Sequence, residues 1–170
     1  RMAVDILEFT LGGESYAMDI QIAREIVEML PITPIPRAPG HVTGLLNLRG
    51  EITTIINIHH LLGIQSAKNR EEQNIMVLVP DAFENTSVGM IVDEVHSVLT
   101  IDEKNIDTNV RGVDSGLSDY VHGIIKLSEG DSGTTESEEN VQESEKRLII
   151  WIDVRKILME TIESPGVRQE

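Results

Sequence analysis

The stretch GLLNLRGEITTIINI, Gly44 to Ile58, is two apolar runs broken by Arg49-Gly50-Glu51. Runs this short, rich in Ile, Leu and Thr and separated by a glycine, read as two strands joined by a tight turn. Asn47-Leu48-Arg49-Gly50 is the turn of that hairpin, with Gly50 expected to take the positive φ value. The HHLLG that follows reads as a short helical turn stopped by Gly63.

The same pattern returns near the end of the chain. VTGLLNL…ITTIINIHHLLG can be laid over VHGIIKL…LIIWIDVRKILM, matching Gly44 with Gly123, Asn57 with Asp153 and Leu61-Leu62 with Ile157-Leu158. More weakly, AMDIQIAREIVEM parallels GMIVDEVHSVLTI. Elsewhere, ILEFTL and YAMDI alternate around Gly12-Gly13 as a hairpin, and IMVLV reads as a further strand. QIAREIVEML reads as a helical turn leading into a strand, because Pro31, Pro34, Pro36 and Pro39 force an extended path after it. RKILMETI carries Ile157, Leu158 and Ile162 at helical spacing and is expected to be a terminal helix. Two halves of about five short strands each predict an all-β fold of two five-stranded β-barrel subdomains packed together, with short helices and a C-terminal helix. The expected division is residues 1–70 for the first barrel and 71–163 for the second, within one domain spanning 1–170. Residues 128–147 hold seven acidic and two basic residues with Val141 the only aliphatic, so a disordered acidic loop is expected there.

Composition removes several functions. The net charge of −15 opposes binding to nucleic acid or anionic membrane, which needs clustered Lys and Arg, and 3% aromatics leave little to stack on bases. No cysteine is present, so disulfides, thiolate catalysis and sulfur-ligated metals are excluded. The N-terminal RMAVDILEFTL lacks the apolar core of a signal peptide, and no run of 18 apolar residues occurs, so a soluble cytoplasmic protein is expected.

No catalytic signature is found, and no cofactor is expected. The chain lacks a Gly-x-Ser-x-Gly elbow, a phosphate-cradling glycine loop and His-Glu-x-x-His. His59 and His60 are adjacent and point about 100° apart on a helical turn, which spaces them poorly for one metal ion. His41, His96 and His122 stand singly beside apolar residues. Arg49 is left with two readings. It is a solvent-facing turn residue, or it offers its five fixed donors to a partner from the rim of an apolar surface, which makes an interaction protein the leading class.

These residues resemble the CheW-like domain of chemotaxis couplers. AREIVEMLPITPIPRAPGHVTGLLNLRGEITTIINIHHLLG is similar to the family's first signature: an Arg-Glu-Ile, a proline-containing loop, a Gly-x-x-Asn-Leu-Arg-Gly and an apolar strand, in that order. VGMIVDEVHSVLTI resembles the second and YVHGIIKL…LIIWIDVRKIL the third. The resemblance implies two SH3-like barrels and a non-enzymatic scaffold in two-component signal transduction. Such an adaptor couples chemoreceptor cytoplasmic tips to the histidine kinase CheA, whose own CheW-like regulatory domain meets it. It also implies partner-binding roles for Glu25 and Arg49, with Ala23, Arg24, Asn47 and Gly50 beside them, and weaker contacts at apolar edges near Gly89 and Val98. Two departures stand out: Thr53-Thr54 and Asn57 replace the Pro and Asp the family often has, and the acidic insertion replaces a short turn. CheW-like domains also occur within CheA kinases and receiver-fused couplers, which carry further domains that 170 residues do not hold, so the alternative reading is an isolated CheW-like domain of such a protein. From another class, a small acidic β-barrel enzyme or ligand-binding module would need a concave pocket with convergent titratable groups.

Overall fold

The computed structural model describes residues 2–109, 117–128 and 146–163. The acidic loop expected at 128–147 lies outside these, apart from Ser128 and Lys146-Arg147, which belong to strands. In order the elements are β1 (Ala3–Leu11), β2 (Glu14–Asp19), β3 (Ala23–Glu28), β4 (Val42–Leu48), β5 (Glu51–Asn57), α1 (Ile58–Leu62), β6 (Asn74–Leu78), β7 (Val88–Val92), β8 (Glu94–Asp102), β9 (Ile106–Asp107), β10 (Val121–Ser128), β11 (Lys146–Ile152) and α2 (Val154–Glu163). The fold is mostly β, in two mixed sheets. One has five strands in the order β3-β6-β7-β5-β4, the other six in the order β8-β1-β2-β11-β10-β9.

The chain does not divide near residue 70. Its contacts separate a central unit, drawn from Phe9–Glu14 and Gln21–His96, from a terminal unit drawn from Arg1–Glu8, Ser15–Ile20 and Ser97–Glu170. The cause is a parallel pairing: β11 sets Ile150 opposite Tyr16 and Trp151 opposite Ala17, so the N-terminal hairpin completes a sheet with the last strands. The sixth strand of that sheet is the two-residue β9, which pairs with Ile124-Ile125.

Within each unit the repeat read from the sequence is structural. β4 pairs with β5 and β10 with β11, each antiparallel, and the register shifts between Val42 and Gly44 in the first and between Val121 and Gly123 in the second. Both glycines admit a crossing segment. A Cβ on Gly44 would sit 2.2 Å from the Thr33 carbonyl oxygen, and one on Gly123 would sit 2.8 Å from Ile106 Cγ2. The matched Asn57 and Asp153 perform the same task. Asn57 N–H donates to the His41 carbonyl and Asp153 N–H to that of Tyr120, both at 2.7 Å. Their side chains then accept from His60 N–H and Lys156 N–H, capping α1 and α2.

Burial follows strand position. β6 and β7 lie mid-sheet and are apolar on both faces, so Ile75, Met76, Leu78, Val88, Met90 and Val92 are fully buried. The central core joins Leu46, Leu48, Ile55, Ile75, Val77 and Ile91; the terminal core joins Ile6, Ala17, Ile101, Ile125, Leu127 and Ile149. Each of the Ile, Leu and Val side chains stabilises its unit by roughly 1.5–3 kcal/mol. The terminal helix forms as expected, with Ile157 and Leu158 buried. QIAREIVEML is a helical turn leading into a strand, as expected: the 3-10 turn Ile20–Ile22 runs directly into β3 at Ala23.

Candidate partner-binding surface

Both central residues of the β4–β5 turn take positive φ, Arg49 at 51° and Gly50 at 85°. Two positive values define a type I′ turn, whose twist matches that of the flanking strands. The β1–β2 turn has the same form, with Gly12 and Gly13 at 62° and 88°. Glycine fills the first central position there without strain. At the second turn an arginine holds it, at a cost of about 1 kcal/mol for an L side chain in this region. Asn47 Oδ1 accepts the Gly50 N–H at 2.9 Å and fixes the turn.

The turn faces β3. Arg49 pairs with Glu25, and Arg24 Nη1 lies 3.4 Å from Glu51 Oε1. The register of β3 against β6 shifts between Ala23 and Glu25, and from this irregularity Arg24 and Glu25 reach Glu51 and Arg49. β3 and β4 are the two edges of the five-stranded sheet, and these pairs link one edge strand to the turn that ends the other. Glu25 shares a strand face with Val27, which packs on the core, and its carboxylate is 27% exposed against 63% for Arg49. In a chain of net charge −15 the four residues form a locally neutral cluster. Ile26 at 44% and Ile52 at 58% exposure stand beside it on β3 and β5.

The structure thus brings Arg24, Glu25, Asn47, Arg49 and Gly50 together, with Ala23 half-buried at the start of β3. Gly89 is corrected. It lies in the central strand β7, buried, with Ile75 and Ile55 3.0 and 3.2 Å from where a Cβ would stand, and so forms no apolar edge. Val98 is 52% exposed on β8, an edge strand of the other sheet. Sequence reading missed Glu51 and Ile52, although the alternation of Thr53 and Ile55 inward already turns Ile52 outward.

It also missed the buried Asp93, 2% exposed between β7 and β8. Its carboxylate accepts from Gly12 N–H at 2.6 Å, Ser66 Oγ at 2.8 Å, Gln73 Nε2 at 2.8 Å and Ala67 N–H at 3.1 Å. Burial pushes the Asp93 carboxyl upward; the bonds from Gln73, Gly12, Ala67 and Ser66 outweigh it and hold the group far below the usual carboxylate range. His59, also buried, brings Nε2 to 3.2 Å from Asp93 Oδ2 but out of hydrogen-bonding line. His60 approaches His41 instead; burial, and then the His60 charge, lower the His41 pKa. His122 lies against Trp151, with Nε2 3.6 Å from Asp153. Among the described residues no three His, Cys, Asp or Glu side chains form a metal-binding group, and no helix is long and apolar enough to cross a membrane.

A model of the CheW-like domain matches residues 5–161. The chain belongs to the CheW-like family. Among CheW relatives, the chemotaxis protein CheW of Treponema pallidum is 30% identical over 122 residues, 71% of this chain and 72% of that protein. The chemotaxis protein CheW of Thermotoga maritima is 28% identical over 163 residues, covering 96% and 93% of the two chains. The crystal structure of the scaffolding protein TtCheW from Thermoanaerobacter tengcongensis superposes with a TM-score of 0.64 at 29% identity, covering 89% of each chain. The CheW-like match thus spans both sheets and includes the Arg49 turn.

Proposed function

We propose that this protein is a non-enzymatic chemotaxis adaptor of the cytoplasm that couples chemoreceptor tips to the histidine kinase CheA. Its contact surface is centred on Arg49 and Glu25, with Ala23, Arg24, Asn47 and Gly50 around them and Val98 as a separate apolar contact. One observation carries the reading: the chain holds an arginine, not a glycine, in the left-handed position of a type I′ turn and pairs it with Glu25. A turn selected only for folding favours Gly or Asn there. The pair leaves most of the guanidinium in solvent, where its remaining donors meet a partner's carboxylates or carbonyls. Membership of the CheW-like family supports the adaptor role, and the ion pairs joining β3 to the β4–β5 turn support an SH3-like barrel for the central unit.

Co-precipitation with purified receptor tips and kinase tests this reading. The wild-type chain is expected to bring both down together, and the Arg49→Gly variant to lose at least one. A wild-type chain that binds neither overturns the adaptor assignment.

A further inference from the structure

A cleft of ≈ 450 Å³ opens in the central unit between α1 and the segment that follows it, with His59, His60, Lys68 and Arg70 in its wall. Sites for small molecules commonly have volumes of about 300–1,000 Å³. Its wall is unlike the rest of the surface: in a chain with 29 Asp and Glu against 14 Lys and Arg, none of the residues lining it is acidic. The Arg70 side chain is exposed and has no ion-pair partner among the described residues. Lys68 reaches only the exposed Glu94, at 3.5 Å.

The cleft is held rigid from behind. Asp93 takes hydrogen bonds from Ser66, Ala67 and Gln73, which fixes both ends of the segment carrying Lys68 and Arg70. Ser66 Oγ also accepts from Lys68 N–H at 3.1 Å. The donors of Ser66 and Gln73 are thereby committed to Asp93, which leaves Lys68 and Arg70 as the cations of the wall, and the His60 ring lies where the wall meets Gly40. His59 is buried in the same wall, with its Nε2 turned to Asp93 Oδ2 at 3.2 Å. Ile64 and Ile91 complete the wall with apolar surface.

We propose that this cleft binds a small organic phosphate, with Arg70 and Lys68 holding the anionic group, His60 beside it, and Ile64 and Ile91 against the carbon body. Two cations and an imidazole suit a dianion better than a single carboxylate, and the planar guanidinium fork matches phosphate oxygens pairwise. A wall fixed before the ligand arrives lowers the cost of binding. None of these residues belongs to the Glu25–Arg49 surface, so the proposal stands apart from the adaptor reading.

The test is an amide-shift titration of the full 15N-labelled chain with glycerol 3-phosphate, inorganic phosphate or sodium chloride at fixed pH and ionic strength. Saturable shifts confined to residues 57–73 and Ile91 are expected, with the ester binding at least as tightly as inorganic phosphate and chloride giving none. Arg70→Gln is expected to weaken binding about tenfold. Arg37→Gln, which removes an exposed arginine outside the cleft, leaves it unchanged. Shifts that do not saturate, chloride acting like the phosphates, inorganic phosphate binding without the ester, or unchanged affinity in Arg70→Gln each overturn the proposal.

Discussion

Replacing Arg49 with glycine separates folding from binding more cleanly than alanine does. Removing the side chain forfeits the pair with Glu25, which is 63% exposed on the arginine side and stabilises the fold by only ~0–1 kcal/mol. The left-handed φ of 51° relaxes at the same time, returning about 1 kcal/mol. The added freedom of glycine in the unfolded chain costs roughly 0.5–1 kcal/mol. The sum lies within about 1 kcal/mol of zero, so the melting temperature is expected to move by no more than ~2–4 °C. Binding behaves differently. An arginine desolvated at the centre of an interface contributes roughly 2 kcal/mol, so affinity for receptor tips or kinase is expected to fall about thirtyfold. Arg49→Ala is expected to lose the same affinity while melting below Arg49→Gly, because alanine keeps the backbone strain. The exchange Glu25→Arg with Arg49→Glu restores the internal pair but not the binding. Thermal melts and isothermal titration with each partner measure both quantities. Wild-type affinity in Arg49→Gly would refute the reasoning, and so would its failure to fold.

Other predictions follow from geometry already described. Asp93→Asn leaves buried donors unmatched and is expected to cost about 2–4 kcal/mol in urea unfolding at neutral pH; a loss under ~1 kcal/mol would show the hydrogen-bonded hub to be dispensable. The folded-state pKa of Asp93 is depressed, so its contribution is complete above the unfolded value near ~4 and is lost only as pH falls toward the folded value. The gap between wild type and Asp93→Asn is therefore flat from neutral pH down to about 5 and narrows below about 4. Gly44→Ala, which drives a Cβ into a backbone carbonyl, is expected to destabilise more than Gly123→Ala, whose nearest obstacle is a side-chain methyl; equal losses would count against the close-approach account. Ser128 and Lys146 are register partners, so an Asn-Gly turn in place of residues 129–145 is expected to leave stability unchanged or slightly raised, whereas a loss of several kcal/mol contradicts this. His60→Gln is expected to leave partner binding intact.

Local pattern carried most of what was legible. The hairpins at Gly12-Gly13 and Arg49-Gly50, the helical turn ended by Gly63 and the repeat of residues 42–62 near the C-terminus all depend on neighbouring residues, and all are present. The division at residue 70 failed because the pairing of β2 with β11 joins residues more than a hundred positions apart and leaves no mark in periodicity. The strand after the turn at Ile20–Ile22 was legible from the prolines that follow it, whereas the outward setting of Ile26 depends on the pairing of β3 with β6. Gly89 was named as an apolar edge through the family resemblance, and only the sheet order shows β7 to be enclosed by β6 and β5. Glu25 and Arg49 were named through the family resemblance, whereas their pairing needed three dimensions. Asp93 was hidden because a single acid between two strands looks like a break. Nothing in the sequence reports the donors that converge on it.

The path of the chain sets a timetable for synthesis. β1 and β2 leave the ribosome first, but β11, the strand that flanks β2, ends only at Ile152. At typical translation rates that interval is roughly ten seconds. The strands β3 to β7 are all made within it, and the central sheet is free to assemble while the first hairpin waits with one edge open. Slowing translation after Val92 would lengthen the exposure of that edge without affecting the finished central sheet.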